Sequence, residues 1–188
     1  MNKKIVLAFV GMPGSGKSEA TVYLEKKGIP FVRFGNITDD GLESANLPLT
    51  PENEQNFREK IRKDFGMNAY AVKSWSQIEE ALRASDYLVL DGLYSWEEYK
   101  FLKEKLDNLI LIHLFVEAQK RYQRLSQRKV RPVPLEKCYL RDIKEIENLN
   151  KAGPIAIADY SIDNNSNSIS DLYSGVDALL ERIGIKAK

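Results

Sequence analysis

The stretch from Ile5 to Ser18, IVLAFVGMPGSGKS, decides how the rest of the chain is read. Its first six residues are a continuous apolar run, rich in β-branched types and followed by glycine. That pattern fits a strand buried on both faces of a parallel sheet. The next eight residues, Gly11 to Ser18, fit the spacing G-x-x-x-x-G-K-[ST]. At average residue usage, two glycines, a lysine and a hydroxyl residue at those places arise by chance in under about one chain in a hundred of this length. The position lowers the odds further, because a helical pattern begins where the motif ends. A plain glycine-rich turn with an exposed lysine would leave that context unexplained.

Each residue of the motif has a physical task. Gly11, Gly14 and Gly16 let the backbone curl so that successive N–H groups, with Ser15 among them, point into one concavity that suits phosphate oxygens. The helix starting near Lys17 adds the positive end of its dipole. Lys17 can bridge the β- and γ-phosphates of a nucleoside triphosphate, and the Ser18 hydroxyl can bind Mg²⁺. ATP and Mg²⁺ are therefore the expected ligands of this loop.

Working outward, Lys17 to Lys27 reads as a helix with Ala20, Leu24 and Val22 inward and Gly28 as its C-cap. Pro30 to Phe34 is a second strand, which makes a βαβ opening. Residues 36 to 84 look helical and polar. Thr50 as N-cap and Pro51 at the first position start one helix, Gly66 interrupts it, and Asn68 to Arg83 forms another. YLVLDG (Tyr87 to Gly92) and LILIHLF (Leu109 to Phe115) are buried strands around a helix from Trp96 to Lys105. Residues 117 to 149 form two charged helical stretches broken by RPVP, the second ending at Gly153-Pro154. Ala158 to Asp163 is a last strand, and Ser170 caps a final helix through Ile183. Five strands with long, helical connections imply one α/β domain, residues 1–188, with a parallel sheet flanked by helices in three layers.

Composition agrees with one globular domain of 188 residues: 43% apolar, 29% charged, with 28 basic against 27 acidic side chains. The near-zero net charge argues against a dedicated nucleic-acid binder. The single cysteine, Cys138, cannot close an internal disulfide and fits a reducing, cytoplasmic setting. With one cysteine and one histidine, a zinc site lacks ligands. The apolar run at Ile5 is too short for a signal core or a membrane span, so a soluble protein is expected.

Beyond the loop, three groups carry chemistry. Asp91 ends the strand YLVLD, where ligands of open α/β sheets gather, and can orient Mg²⁺ directly or through water. Arg121, Arg124, Arg128 and Arg131 recur three or four apart, and Arg141 follows on the next helix. Arginines suit the charge that phosphoryl transfer spreads over the transferred group. A solvated basic face is the plain reading of such a run, and the phosphate loop tips the balance. His113, within an apolar strand, reads as a core histidine, and Trp75, Trp96 and Tyr99 as packing residues. No Asn-Lys-x-Asp sequence follows to support guanine specificity.

Taken together, IVLAFVGMPGSGKSEA, GIPFVRFGN, LTPENEQNFREKIRKDFGMNAYA, VLDGLYSWEEYKFLK, RYQRLSQR, LRDIKEIE and IADYSIDN resemble the nucleotide-kinase branch of P-loop proteins. The nearest resemblance is to adenylate-kinase-related, dephospho-CoA-kinase-like proteins. It implies a P-loop NTPase fold with an acceptor-binding segment (36–84) and an arginine-bearing helical lid (117–149). It further implies that Arg124 stacks near the adenine, that Arg128 touches phosphates, that Arg141 reaches the transferring group, and that the loop Asp163 to Asn167 passes the base. Arg33, Asn36 and Tyr94 would face the acceptor. Two departures fall on that side. Such proteins often carry Asp where this chain has Asn36, and often an arginine just after the Asp91-Gly92 pair, where Leu93-Tyr94 stands here.

The expected activity is thus Mg²⁺-assisted phosphate transfer from ATP to a small nucleotide or coenzyme-precursor acceptor, with Lys17, Arg128 and Arg141 as catalytic groups. The alternative is an ATP-binding regulatory or partner-binding protein with little turnover, motivated by the two departures. The acceptor and the oligomeric state are not legible.

Overall fold

The computed structural model describes residues 4–185 of the chain. Five strands, β1 (Ile5–Val10), β2 (Phe31–Arg33), β3 (Tyr87–Asp91), β4 (Leu109–Phe115) and β5 (Tyr160–Asp163), form one sheet in the order β2-β3-β1-β4-β5. Every pairing is parallel, so each connection must cross over the sheet, and helices supply the crossovers. The expected three-layer α/β architecture is the one observed. Of the single domain expected over 1–188, residues 1–3 and 186–188 lie outside the described part. Among the described residues, no helix is long and apolar enough to cross a membrane.

The alternation of β1 divides the core in two. Leu7 and Phe9 face one side and meet Ala20 and Leu24 of α1 (Lys17–Lys26) and Leu172, Val176 and Leu180 of α10 (Ile169–Arg182). Val6, Ala8 and Val10 face the other side. There they join Ala69 and Tyr70 of α4 (Ala69–Lys73), Ile78 of α5 (Trp75–Ala84) and Leu102 of α6 (Trp96–Lys105). A strand that feeds two helical layers needs apolar residues at every position, which is why β1 shows no polar alternation.

Between β2 and α4 lie α2 (Asn36–Ser44) and α3 (Pro51–Phe65). Thr50 caps α3, its hydroxyl accepting from the Asn53 N–H at 3.2 Å, and Gly66 ends it. Between β4 and β5 lie α7 (Ala118–Ser126), α8 (Leu135–Leu149) and the short α9 (Ala152–Ala156).

Several boundaries differ from the expectations. Val22 points outward and Thr21 takes the buried position, because the face of α1 that meets the sheet runs through Ala20, Thr21 and Leu24. The helix expected over Asn68 to Arg83 is two, α4 and α5, meeting at Ser74. Gly153 and Pro154 do not end α8. Asn150 does so in the left-handed conformation (φ 50°), and Gly153-Pro154 lie within α9. The final helix is capped at Ser168 rather than Ser170, and β5 begins at Tyr160 rather than Ala158. His113 is half-buried in β4, edge-on to Phe115, while Cys138 is fully buried and free.

Candidate active site

The C-terminal ends of β1, β3, β4 and β5 converge on the motif loop. Gly14 and Gly16 hold φ of 83° and 97°, a region that L-residues with side chains avoid. A Cβ on Gly14 would lie 2.8 Å from the Arg121 carbonyl oxygen, and one on Gly16 would lie 2.6 Å from Asn164 Nδ2. The loop is therefore pressed against its neighbours on the outside and open on the inside. Asn164, just past β5, donates from Nδ2 to the Ser15 carbonyl at 2.9 Å. Arg121 of α7 donates to the carbonyls of Pro13 (3.2 Å) and Val116 (3.2 Å). It also forms a buried two-point pair with Asp142 of α8, at 3.1 and 2.7 Å.

Lys17 folds over the inside of the loop. Its Nζ donates to the carbonyls of Gly11 (2.8 Å) and Met12 (3.1 Å) and to Ser15 Oγ (3.3 Å). Burial, and next the repulsion of Lys151, hold its ammonium well below the ordinary lysine range. An anion entering the loop would relieve both effects.

The loop forms one wall of a cavity of about 180 Å³. Lys17 and Ser18 line that wall, and Tyr94, Arg128, Arg141 and Lys151 line the rest. Four cations against two carboxylates, Glu19 and Glu145, make it an anion site. Arg128 comes from the loop after α7, Arg141 and Glu145 from α8, and Lys151 from the turn before α9. Tyr94 follows β3, and its backbone N–H donates to Glu98 Oε2 at 2.7 Å. The same carboxylate completes a capping box with Ser95 at the start of α6. Burial pushes the Tyr94 phenol up to about 12, so at neutral pH it is a neutral hydroxyl.

Asp91 ends β3 and is 9% exposed. Burial pushes its carboxyl up, against the pull of Lys17 and Arg33. Among the described residues, no group of three or more His, Cys, Asp or Glu could hold a metal ion. Ser18 lines the cavity, and Asp91 lies at the end of β3, the strand beside β1.

Arg124 does not line the cavity. Its Nη2 donates to the carbonyls of Asn164 (2.8 Å) and Ser166 (2.7 Å), on the loop where a base was expected to lie. Arg33 and Asn36 do not line this cavity either. Arg33 Nη1 donates to Asn36 Oδ1 (3.0 Å) and to Asp39 (2.7 Å). Both residues line a separate cavity of about 330 Å³ between β2 and α5. This second cavity is larger, but no glycine loop or group of cations opens onto it. Sequence reasoning missed Asn164, Asp142, Glu145 and Lys151. Only Asn164 had a signal, its place within the loop already suspected of passing the base.

The fold and the cradle define a P-loop protein. Residues 7–148 match the family described as AAA domain. A UPF0200 protein of Thermococcus sibiricus is 31% identical over 98% of each chain. The chain therefore belongs to the AAA domain family and, within the P-loop proteins, to the UPF0200 family. Among solved structures, shikimate kinase from Bacteroides thetaiotaomicron superposes with a TM-score of 0.62 at 14% identity, covering 96% of this chain and 99% of that one. A gluconokinase from Sinorhizobium meliloti 1021 gives 0.55 at 16%, covering 98% of each. At such identities the likeness is one of fold.

Proposed function

We propose that the protein is an ATP-dependent phosphotransferase acting on a small anionic or hydroxylated acceptor, a nucleotide or a coenzyme precursor. The observation that carries this reading is the single cavity in which Lys17 and Ser18 of the P-loop face Arg128 and Arg141 of the 117–149 segment. The kinase names of the fold neighbours support it at the level of a small acceptor.

In this reading the loop N–H groups and Lys17 bind the β- and γ-phosphates, Lys17 giving up its carbonyl contacts to do so. Ser18 and Asp91 hold Mg²⁺, which when bound neutralises developing phosphate charge. Arg128 and Arg141 contact the transferring group and help exclude water, so residues 117–149 act as a lid. Arg124 supports the base-side loop by gripping the Asn164 and Ser166 carbonyls. Tyr94 offers a hydroxyl to the acceptor, and residues 36–84 form the acceptor side. With positioning and charge supplied, a phosphate acceptor needs no general base.

The acceptor side favours one second reading, an ATP-binding regulatory protein with little turnover: Asn36 offers no carboxylate, Tyr94 no charge, and Arg33 is held by Asp39. ADP release from ATP decides between them, measured over adenylate, other nucleoside monophosphates, dephospho-CoA and small sugars and acids. The kinase reading expects one acceptor to raise the rate. It also expects Arg128→Ala to lower kcat by about a hundredfold while ATP affinity stays within about threefold. No acceptor-dependent rate, with Arg128→Ala weakening ATP binding, would select the regulatory reading.

A further inference from the structure

The carboxylate of Glu145 occupies a place in the cavity that chemistry would assign to a phosphate. It sits on the inner side of α8, with its side chain 15% exposed. One oxygen accepts from Arg141 Nε at 3.1 Å, and the other forms an ion pair with Lys151 Nζ. Lys151 is 2% exposed, and its ammonium lies 4.5 Å from the centre of the Tyr94 ring. All four residues line the same cavity as Lys17 and Ser18. An internal carboxylate is thus gripped by two cations, facing a phosphate loop whose own lysine is turned back on backbone carbonyls.

Burying a lysine is costly unless it is paired, and a pairing made only to join α8 to α9 could be replaced by apolar contact. Placement on the cavity wall gives the lysine a use that apolar contact would not. Glu145 also offsets the repulsion between Lys151 and Lys17, which supports the same arrangement.

We propose that Lys151 is a second phosphate-binding lysine, which with Arg141 grips the terminal phosphate of a bound nucleoside triphosphate. Glu145 holds those two cations as an internal stand-in for that phosphate until the nucleotide displaces it. The proposal rests on the reading of the P-loop cavity as a nucleotide site and adds a residue and a displacement step to it. A diphosphate has no terminal group for Lys151 to reach, so the pair Lys151–Glu145 closes again when ADP is left.

Calorimetric titration with a non-hydrolysable ATP analogue and with ADP, both with Mg²⁺, tests this on the full chain. Glu145→Gln removes the competing anion and is expected to tighten the triphosphate by about fivefold. Lys151→Gln is expected to weaken it by about tenfold, as one charge-assisted contact is lost. ADP affinity should stay within about twofold in both. If Lys151→Gln fails to fold because Glu145 is left with Arg141 alone, the double variant Glu145→Gln with Lys151→Gln removes both charges. It should fold and should prefer triphosphate over diphosphate less than the wild type does. A triphosphate-to-diphosphate ratio equal to wild type in every folded variant would make the pair a structural tie and overturn the proposal. Unchanged triphosphate binding in Lys17→Ala would instead overturn the nucleotide-site reading beneath it.

Discussion

The P-loop wall of the cavity and the wall opposite it are held by different means. The P-loop wall is backbone: Gly14 and Gly16 sit in conformations other residues avoid, and Asn164 and Arg121 bind its outer carbonyls. The opposite wall is made of long side chains, Arg128, Arg141, Glu145 and Lys151, the last three joined by ion pairs. A backbone wall keeps its shape whether or not an anion is present. A wall of ion-paired side chains can exchange an internal partner for an external one at small cost. The difference suits a site that must bind phosphate firmly on one side and respond to it on the other.

Arg121 links the two walls, so removing it should have the largest effect on stability. It is the buried contact from α7 to both the loop and Asp142. Arg121→Ala leaves the Asp142 carboxylate buried without a counter-charge, held only by the Tyr122 hydroxyl at 3.1 Å, and is expected to cost about 3 kcal/mol, read as a lower urea midpoint. Replacing Asp142 as well should recover part of that loss. A single variant within about 0.5 kcal/mol of wild type would mean that the walls are not coupled through this pair.

Gly14→Ala strikes the backbone wall alone. Its Cβ would meet the Arg121 carbonyl oxygen at 2.8 Å, with φ at 83°. A backbone atom cannot swing aside as a side chain can. The expected cost is about 1–3 kcal/mol with loss of ATP binding, checked by thermal unfolding and calorimetry. Retained ATP affinity would show that the loop tolerates reshaping and that the contrast between the walls is overdrawn.

The backbone wall was legible in the sequence because its chemistry is local. Glycines, lysine and serine at fixed spacing follow a buried strand, and the β-branched run of β1 places them. Three of the five parallel strands, β1, β3 and β4, were legible for the same reason, each being a short apolar run between turn residues. The opposite wall was only half legible. Arg128 and Arg141 stood out as a charge run, but Glu145 and Lys151 are six apart, which is no helical pairing. Asn150 reverses the chain in the left-handed conformation and brings Lys151 back beside Glu145. Gly153-Pro154 looked like the end of α8 and hid that reversal. On the acceptor side, the resemblance implies that Arg33, Asn36 and Tyr94 face one acceptor. Arg33 is paired with Asp39 and lines the outer cavity with Asn36, a long-range outcome that no local pattern announces.

Acid distinguishes the walls by the smallest expected effect. Burial pushes the Glu145 carboxyl up, but Lys151 and Arg141 more than offset it and hold it down at about 2. Its folded value lies below the free value of about 4.3, so its ion pairs contribute fully above that pH. The contribution is lost as pH falls toward 2. Between about pH 5 and 2.5 the wild type should lose more stability than Glu145→Gln, followed by urea midpoints at each pH. Parallel profiles would place no weight on this ion pair.

The account stands most directly on Lys17, the P-loop's own cation, turned inward onto the Gly11 and Met12 carbonyls. Thermal unfolding with and without ATP and Mg²⁺, on wild type and Lys17→Ala, measures whether it binds phosphate. A ligand at a hundred times its Kd stabilises by about 2.7 kcal/mol. The wild type should show a shift of that order, while Lys17→Ala should unfold cooperatively near the wild-type temperature without ATP and gain little from it. Equal ATP-induced stabilisation of the two proteins would contradict the assignment of this cavity as the phosphate site.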